Sequence, residues 1–145
     1  MNTTIYNETS MELSFPSELG YEVVARDAVA AFVRRLNFTA DRLEDLKTAL
    51  CEACINAIEH GNALQPGLRV TIACHVEGER LLIEVCDEGV KEFCAHGEPL
   101  TIAQKLIGLG SLRGMGLMLI KQLTDESGFI ADVPVGNCFR LAFVR

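Results

Sequence analysis

The stretch Cys51-Glu52-Ala53-Cys54-Ile55-Asn56-Ala57-Ile58-Glu59-His60-Gly61-Asn62 decides how the chain is read. Residues four apart share a face of an α-helix, so Glu52, Asn56 and His60 make one polar row on a helix otherwise rich in Ala, Ile and Leu. One reading of that row is a solvated stripe. The other is a site, because the backbone alone rewards a mid-helix Asn poorly. An Asn carbonyl oxygen can ligate Mg2+, a hard cation that takes oxygen ligands and keeps waters and phosphates in its shell. A carboxylate one turn away can accept a proton from an attacking hydroxyl. Gly61-Asn62 is the stop signal for this helix.

The flanking pattern sets an order of elements. Residues 10–15 alternate apolar and polar, which predicts a half-buried strand. Pro16-Ser17 then introduces a helix with Ser17 as its N-cap. Val24, Ala28, Ala31 and Phe32 fall on one face of that helix, and Asn37-Phe38-Thr39 breaks it. The second helix starts near Asp41, with Asp41 and Glu44 at capping-box-like spacing, and runs to about His60. Residues 68–76 and 81–86 are β-rich and joined at residues 77–80, which predicts a hairpin. Residues 87–113 are Gly-rich and weakly patterned, with one short helix near 100–106; a segment of that length is a functional lid or disordered. A third helix covers about 114–123, and strands near 127–133 and 138–144 meet at a Gly136-Asn137 turn. The order β-α-α-β-β-lid-α-β-β predicts an α+β two-layer sandwich, a mixed, mostly antiparallel sheet with helices on one face.

At 145 residues the chain fits one domain, expected over 10–145 with a tail at 1–9. Its apolar runs fall well short of the ~18 residues of a membrane span, and residues 1–10 carry no readable secretory signal. A net charge of -7 argues against broad contact with a nucleic-acid backbone. It leaves open a small anion held by backbone N–H groups. Six cysteines (51, 54, 74, 86, 94 and 138) without an export signal predict reduced, mostly buried thiols in a cytoplasmic protein. Cys51-x-x-Cys54 has no second such pair, and Cys94-x-His96 is too thin for a zinc site.

Two further segments bear on function. Cys86-Asp87-Glu88-Gly89 ends a predicted strand. It reads as an ordinary Asp-x-Gly turn, or as a carboxylate that accepts from a base's exocyclic amine while Gly89 lets the ring approach. Arg113-Gly114-Met115-Gly116-Leu117 leads a loop into an apolar helix whose first N–H groups can hold phosphate. It follows no strand and lacks G-K-[ST], which disfavours the dinucleotide fold and the P-loop.

Together, Glu52…Asn56, Asp87-Glu88-Gly89 and Gly114-Met115-Gly116 resemble, in order and context, the N, G1 and G2 boxes of the Bergerat-fold (GHKL) ATPases. Gly136-Asn137-Cys138-Phe139 resembles the closing G-T-x-F strand, with Asn137 in place of Thr. Within that superfamily the chain is most similar to the anti-sigma-factor serine kinases, over residues 10–145.

The resemblance implies a cytoplasmic, ATP- and Mg2+-dependent serine/threonine-protein kinase that holds a sigma factor. It would phosphorylate a small STAS-type anti-sigma antagonist, act as a homodimer, and contact neither nucleic acid nor membrane. Glu52 would be the general base and Asn56 the Mg2+ ligand. Asp87 and Gly89 would take the adenine. Arg113, Gly114, Met115, Gly116 and Leu117 would form the phosphate loop, and residues 90–112 the ATP lid. His60 matches a position often occupied by His and is given a structural role or one supporting the site residues, and Arg26 matches a position that can face the partner. The alternative is an ATP-binding regulatory module of the same fold that binds partners without phosphoryl transfer. Lys91 stands where a longer D-x-G-x-G box has its second glycine.

Overall fold

Met11, Leu13 and Phe15 alternate with Ser10, Glu12 and Ser14, so the first strand turns one face to an apolar core and the other to polar surroundings. A computed structural model of the chain describes residues 9–90 and 112–145. Its elements are β1 (Ser10–Pro16), α1 (Tyr21–Val33), α2 (Ala40–Asn56), a π-helical turn (Ala57–Gly61), β2 (Arg69–Glu77), β3 (Arg80–Cys86), α3 (Leu112–Leu123), β4 (Glu126–Phe129) and β5 (Cys138–Val144). The strands form one five-stranded sheet in the order β1-β2-β3-β5-β4, and every pairing among them is antiparallel. The α+β sandwich is therefore as expected, with no parallel pair among the described strands. The expected lid, its short helix, Cys94 and His96 fall outside the described residues. No helix among the described residues is long and apolar enough to cross a membrane.

The core lies between the sheet and the helices. Leu46, Ala49, Leu50, Ala53 and Cys54 are the buried stripe of α2, at the spacing of an amphipathic helix. They pack with Val70, Ile72 and Cys74 of β2, Leu81, Ile83 and Val85 of β3, and Leu141 and Phe143 of β5. The opposite face carries mostly small or polar residues beside Leu82 and Val144, and includes an ion pair between the directly opposed Glu84 and Arg140 at 2.8 Å.

Four expectations are corrected. Ser17 is not a helix cap: it is fully buried, its Oγ donates to the Ile58 carbonyl at 3.4 Å, and α1 begins after Gly20. The buried stripe of α1 is Ala25, Val29, Ala30 and Val33, while Val24 is exposed. Tyr21 stacks on Phe15 at 5.9 Å and fixes the rotation of the helix, so the stripe runs from Tyr21 rather than from Val24. Thr39, not Asp41, caps α2 by accepting from the Arg42 N–H at 3.1 Å. The fourth correction concerns sulfur: Cys86 and Cys138, directly opposed on β3 and β5, are joined in a disulfide. Cys51, Cys54 and Cys74 are free thiols, as expected. Burial pushes the Cys54 thiol well up and the Cys74 thiol up to about 12.

Candidate functional site

The long second helix does not run regularly to its end. After Asn56 it opens into the π-helical turn, where Asn62 N–H donates to Ala57 O at 2.8 Å. Such widened turns are frequent at functional sites. The chain leaves through Ala63 and Leu64, both left-handed at φ 51° and 60°. Each costs roughly 1 kcal/mol or more for a residue with a Cβ.

Asn62 holds this exit. It is 1% exposed; its Nδ2 donates to the Arg69 carbonyl at 3.0 Å and its Oδ1 accepts from the Glu88 N–H at 2.8 Å. The Glu88 carboxylate in turn accepts from the Arg69 N–H at 2.5 Å. The end of α2 is thereby tied to the turn that follows β3.

Asp87 sits in that turn, 8% exposed. Its Oδ1 accepts from the N–H of Gly89 at 2.9 Å, the N–H of Asn137 at 3.1 Å and the Asn137 Nδ2 at 3.2 Å. The Asn137 Nδ2 also reaches the Val90 carbonyl at 2.7 Å. Three glycines allow close approaches around Asp87, one of them against its carboxylate. A Cβ would lie 2.0 Å from Asp87 Oδ2 at Gly61, 1.5 Å from Gly61 O at Gly89, and 2.0 Å from Asp87 O at Gly136. Only residues without a side chain fit these approaches.

From Asp87 a narrow slot, walled by Ala53, Val85, Leu117, Phe129, Phe139 and Asn137, leads to Asn56. On the far side of Asn56 an open groove of about 590 Å³ runs between α2 and α3, lined by Glu52, Glu59, His60, Met115, Gly116 and Gln122. Asn56 lines both spaces. Its Nδ2 is buried and has no hydrogen-bond partner among the described residues. An unpaired buried amide is costly unless something else in the cleft satisfies it. A Cβ on Gly116 would lie 2.9 Å from Glu52 Oε2 and 3.6 Å from Asn56 Nδ2, so α3 approaches both through a glycine.

Of the expected site residues, Glu52, Asn56, Met115 and Gly116 meet in the groove, and Asp87 and Leu117 in the slot. Gly89 acts on Asp87 through its N–H. Gly114 lies on α3 but lines neither space, and the Arg113 side chain lies outside the described residues. The polar row Glu52, Asn56, His60 is one wall of the groove rather than a purely solvated stripe. Sequence reasoning passed over Asn62 and Gly61, which read only as a helix stop, and Asn137, which read as a turn residue. An Asn beside a Gly marks all of them, but the signal is shared by ordinary turns.

The orphaned Asn56 amide fits a phosphate-bound metal: its oxygen suits a hard divalent cation and its N–H2 a phosphate oxygen.

The "Anti-sigma F factor" of Oceanobacillus iheyensis is 34% identical over 132 residues, covering 90% of this chain and 88% of that protein. The "Anti-sigma F factor" of Clostridium acetobutylicum is 42% identical over 121 residues, covering 82% of each. The "Serine-protein kinase RsbW" of Halalkalibacterium halodurans is 30% identical over 125 residues, covering 84% and 76%. Among solved structures, that of the RsbU and RsbW domains of a Mycobacterium tuberculosis protein superposes with a TM-score of 0.66 at 15% identity. It covers 93% of this chain and 32% of that one, and speaks for the fold alone. The Histidine kinase-like ATPase domain matches residues 15–143, nearly the whole slot-and-groove fold, and the chain belongs to that ATP-binding family.

Proposed function

We propose that this chain is an ATP- and Mg2+-dependent serine kinase and anti-sigma factor of a partner-switching system. It holds a sigma factor and phosphorylates a serine on a small STAS-type antagonist. The observation that carries the reading is the unpartnered Asn56 amide at the junction of slot and groove, one turn from Glu52 and faced by Gly116. The names of the relatives, anti-sigma F factor and serine-protein kinase, support the same reading.

The slot, about 20 Å³ as it stands, has to widen to take a flat base, and the open groove takes the chain of phosphates. Asp87 accepts from the adenine amino group, its Oδ1 fixed by Gly89 and Asn137. Phe129, Phe139, Val85 and Leu117 give the ring apolar walls. Asn56 holds the Mg2+, which when bound neutralises phosphate charge. The N-terminal N–H groups of α3, with Arg113, Gly114, Met115 and Gly116, hold the phosphates.

Glu52 takes the proton of the antagonist's serine hydroxyl as that oxygen bonds the terminal phosphorus and the bond to the bridging oxygen breaks, leaving ADP. Such transfer rests mainly on positioning and charge stabilisation, which a small single-domain site can supply. We further propose that the protein works in the cytoplasm, as a homodimer.

The test is direct transfer from radiolabelled ATP to an antagonist recovered from native lysate with the protein. Phosphoserine on a small antagonist, together with a co-purifying sigma factor, is the expected result. ATP binding without transfer to any recovered protein would instead leave a nucleotide-binding module. Asn56→Ala is expected to weaken Mg-ATP binding by about 10- to 100-fold, the scale of losing contacts to charged groups.

A further inference from the structure

The two cysteines of the disulfide occupy the positions next to the two side chains that shape the base end of the slot. Cys86 precedes Asp87 and Cys138 follows Asn137. The cross-link therefore sits one residue from the Asp87 N–H to Asn137 O bond, 2.8 Å, and from the Asn137 N–H and Nδ2 bonds to Asp87 Oδ1. Strand alternation puts both sulfurs on the face of the sheet away from the helices: Val85 and Phe139 point to the core, and Cys86 and Cys138 do not. Both are only partly buried.

The remaining described thiols contrast with this pair. Cys54 and Cys74 are buried in the core, and burial raises the Cys51 thiol as well. Thiol exchange needs an accessible sulfur, and among the described cysteines Cys86 and Cys138 combine access with a partner already opposite.

We infer that Cys86 and Cys138 form a thiol–disulfide exchange site whose oxidation state sets the affinity of the adjoining slot for a nucleotide base. The oxidant is a low-molecular-weight disulfide such as oxidised glutathione. One protein thiolate attacks it, forming a mixed disulfide and releasing one small thiol. The second protein thiolate displaces the other small thiol and closes the Cys86–Cys138 bond. The protein pair loses two electrons and two protons, and the small disulfide becomes two thiols; reduction runs the same exchange backwards. With the bond closed, β3 and β5 are fixed beside Asp87 and Asn137, and the base meets a pre-formed acceptor. With the bond open, that end of the two strands is held by hydrogen bonds alone. Linkage makes the effect reciprocal: bound nucleotide favours the disulfide by the same factor by which the disulfide favours nucleotide.

The inference rests on the slot being the nucleotide site, and the experiment separates the two. Mg-ATP affinity is measured on the full chain after equilibration in oxidised or in reduced glutathione, with the bond scored by thiol alkylation and mass spectrometry. The oxidised form is expected to bind about 5- to 20-fold more tightly, within the usual range of coupling between sites. Cys51→Ser retains the difference. A Cys86→Val/Cys138→Val pair, chosen because Val suits a strand, binds like the reduced form in either buffer. Saturating Mg-ATP shifts the glutathione ratio at which half the pair is oxidised by the same factor. This last measurement serves even where the reduced protein is less stable. Equal affinity of the two forms, with no shift of that ratio, overturns the redox inference and leaves the nucleotide reading intact. Absence of ATP binding in both forms overturns both.

Discussion

Gly61 leaves the space that the Asp87 carboxylate fills: a Cβ there would lie 2.0 Å from Asp87 Oδ2 and 2.4 Å from its Cγ. The carboxylate has little freedom to retreat, because its Oδ1 is bound by two backbone N–H groups and the Asn137 amide. Gly61→Ala is therefore expected to displace Asp87 and to cost about 1–3 kcal/mol in stability, the usual price of overpacking. Mg-ATP affinity should fall with it. Urea unfolding and nucleotide titration of the same variant read the two effects. Retained affinity with normal stability would mean that the base is not read by Asp87.

Glu52 sits at the groove wall beside Gly116, on the same helix face as Asn56. If it is the general base, Glu52→Gln keeps the shape and removes the proton acceptor. The expected result is a fall in kcat of about 10²–10⁴, the span of general-base contributions, with ATP affinity little changed. A variant that loses affinity and turnover together would assign Glu52 to binding instead.

Asn62 is a different kind of residue, since it touches neither slot nor groove yet bridges the ends that carry Asn56 and Asp87. Asn62→Ala strips the partner from the Glu88 N–H and the Arg69 carbonyl. Both bonds are part-buried and water can take up some of the loss, so each costs about 0.5–1.5 kcal/mol. The urea midpoint should drop accordingly. KM for ATP should rise at little change in kcat, because the loosened turn carries Asp87 and not the reacting atoms. An unchanged KM in a destabilised variant would confine Asn62 to a structural role.

How much of this was legible beforehand follows from what each signal depends on. β1, β2, β3, β5 and the hairpin at 77–80 come from local periodicity, which burial on one face enforces, and they appear within a residue or two of expectation, whereas β4, expected to reach residue 133, stops at Phe129. The phase of α1 was misread because Tyr21 on Phe15, a contact between elements, sets it. Ser17 was misread for the same reason, being claimed by the carbonyl of Ile58, 41 residues away. The gathering of Glu52, Asn56, Asp87 and Gly116 was legible through the resemblance of their three motifs, in order and context, to the Bergerat-fold boxes, and not from any one motif alone. The glycine packing around Asp87 and the Cys86–Cys138 bond were not: the first depends on how the exit of α2 meets the turns next to β3 and β5, the second on strand register.

Arg42 joins elements far apart in sequence and gives stability a pH dependence of known sign. Its guanidinium pairs with the Asp125 carboxylate, donates to the Leu123 carbonyl at 2.8 Å and lies 5.1 Å over the Phe143 ring. Burial pushes the Asp125 carboxyl up, but the Val144 N–H at 2.8 Å and Arg42 outweigh it, so its pKa lies below the ordinary 3.8. The unfolded chain titrates near that ordinary value. Above it both states are ionised and the contribution is complete; as pH falls through the lower folded-state value the carboxylate is protonated in both and the contribution is lost. With the Asp125 side chain 41% exposed, screening keeps the effect of Asp125→Asn at neutral pH to about 0.5–1 kcal/mol. In urea titrations the gap between wild type and variant should hold down to about pH 5 and narrow steadily toward pH 2. A gap constant across that interval would mean that packing of the side chain, and not its charge, ties β4 and β5 to α2.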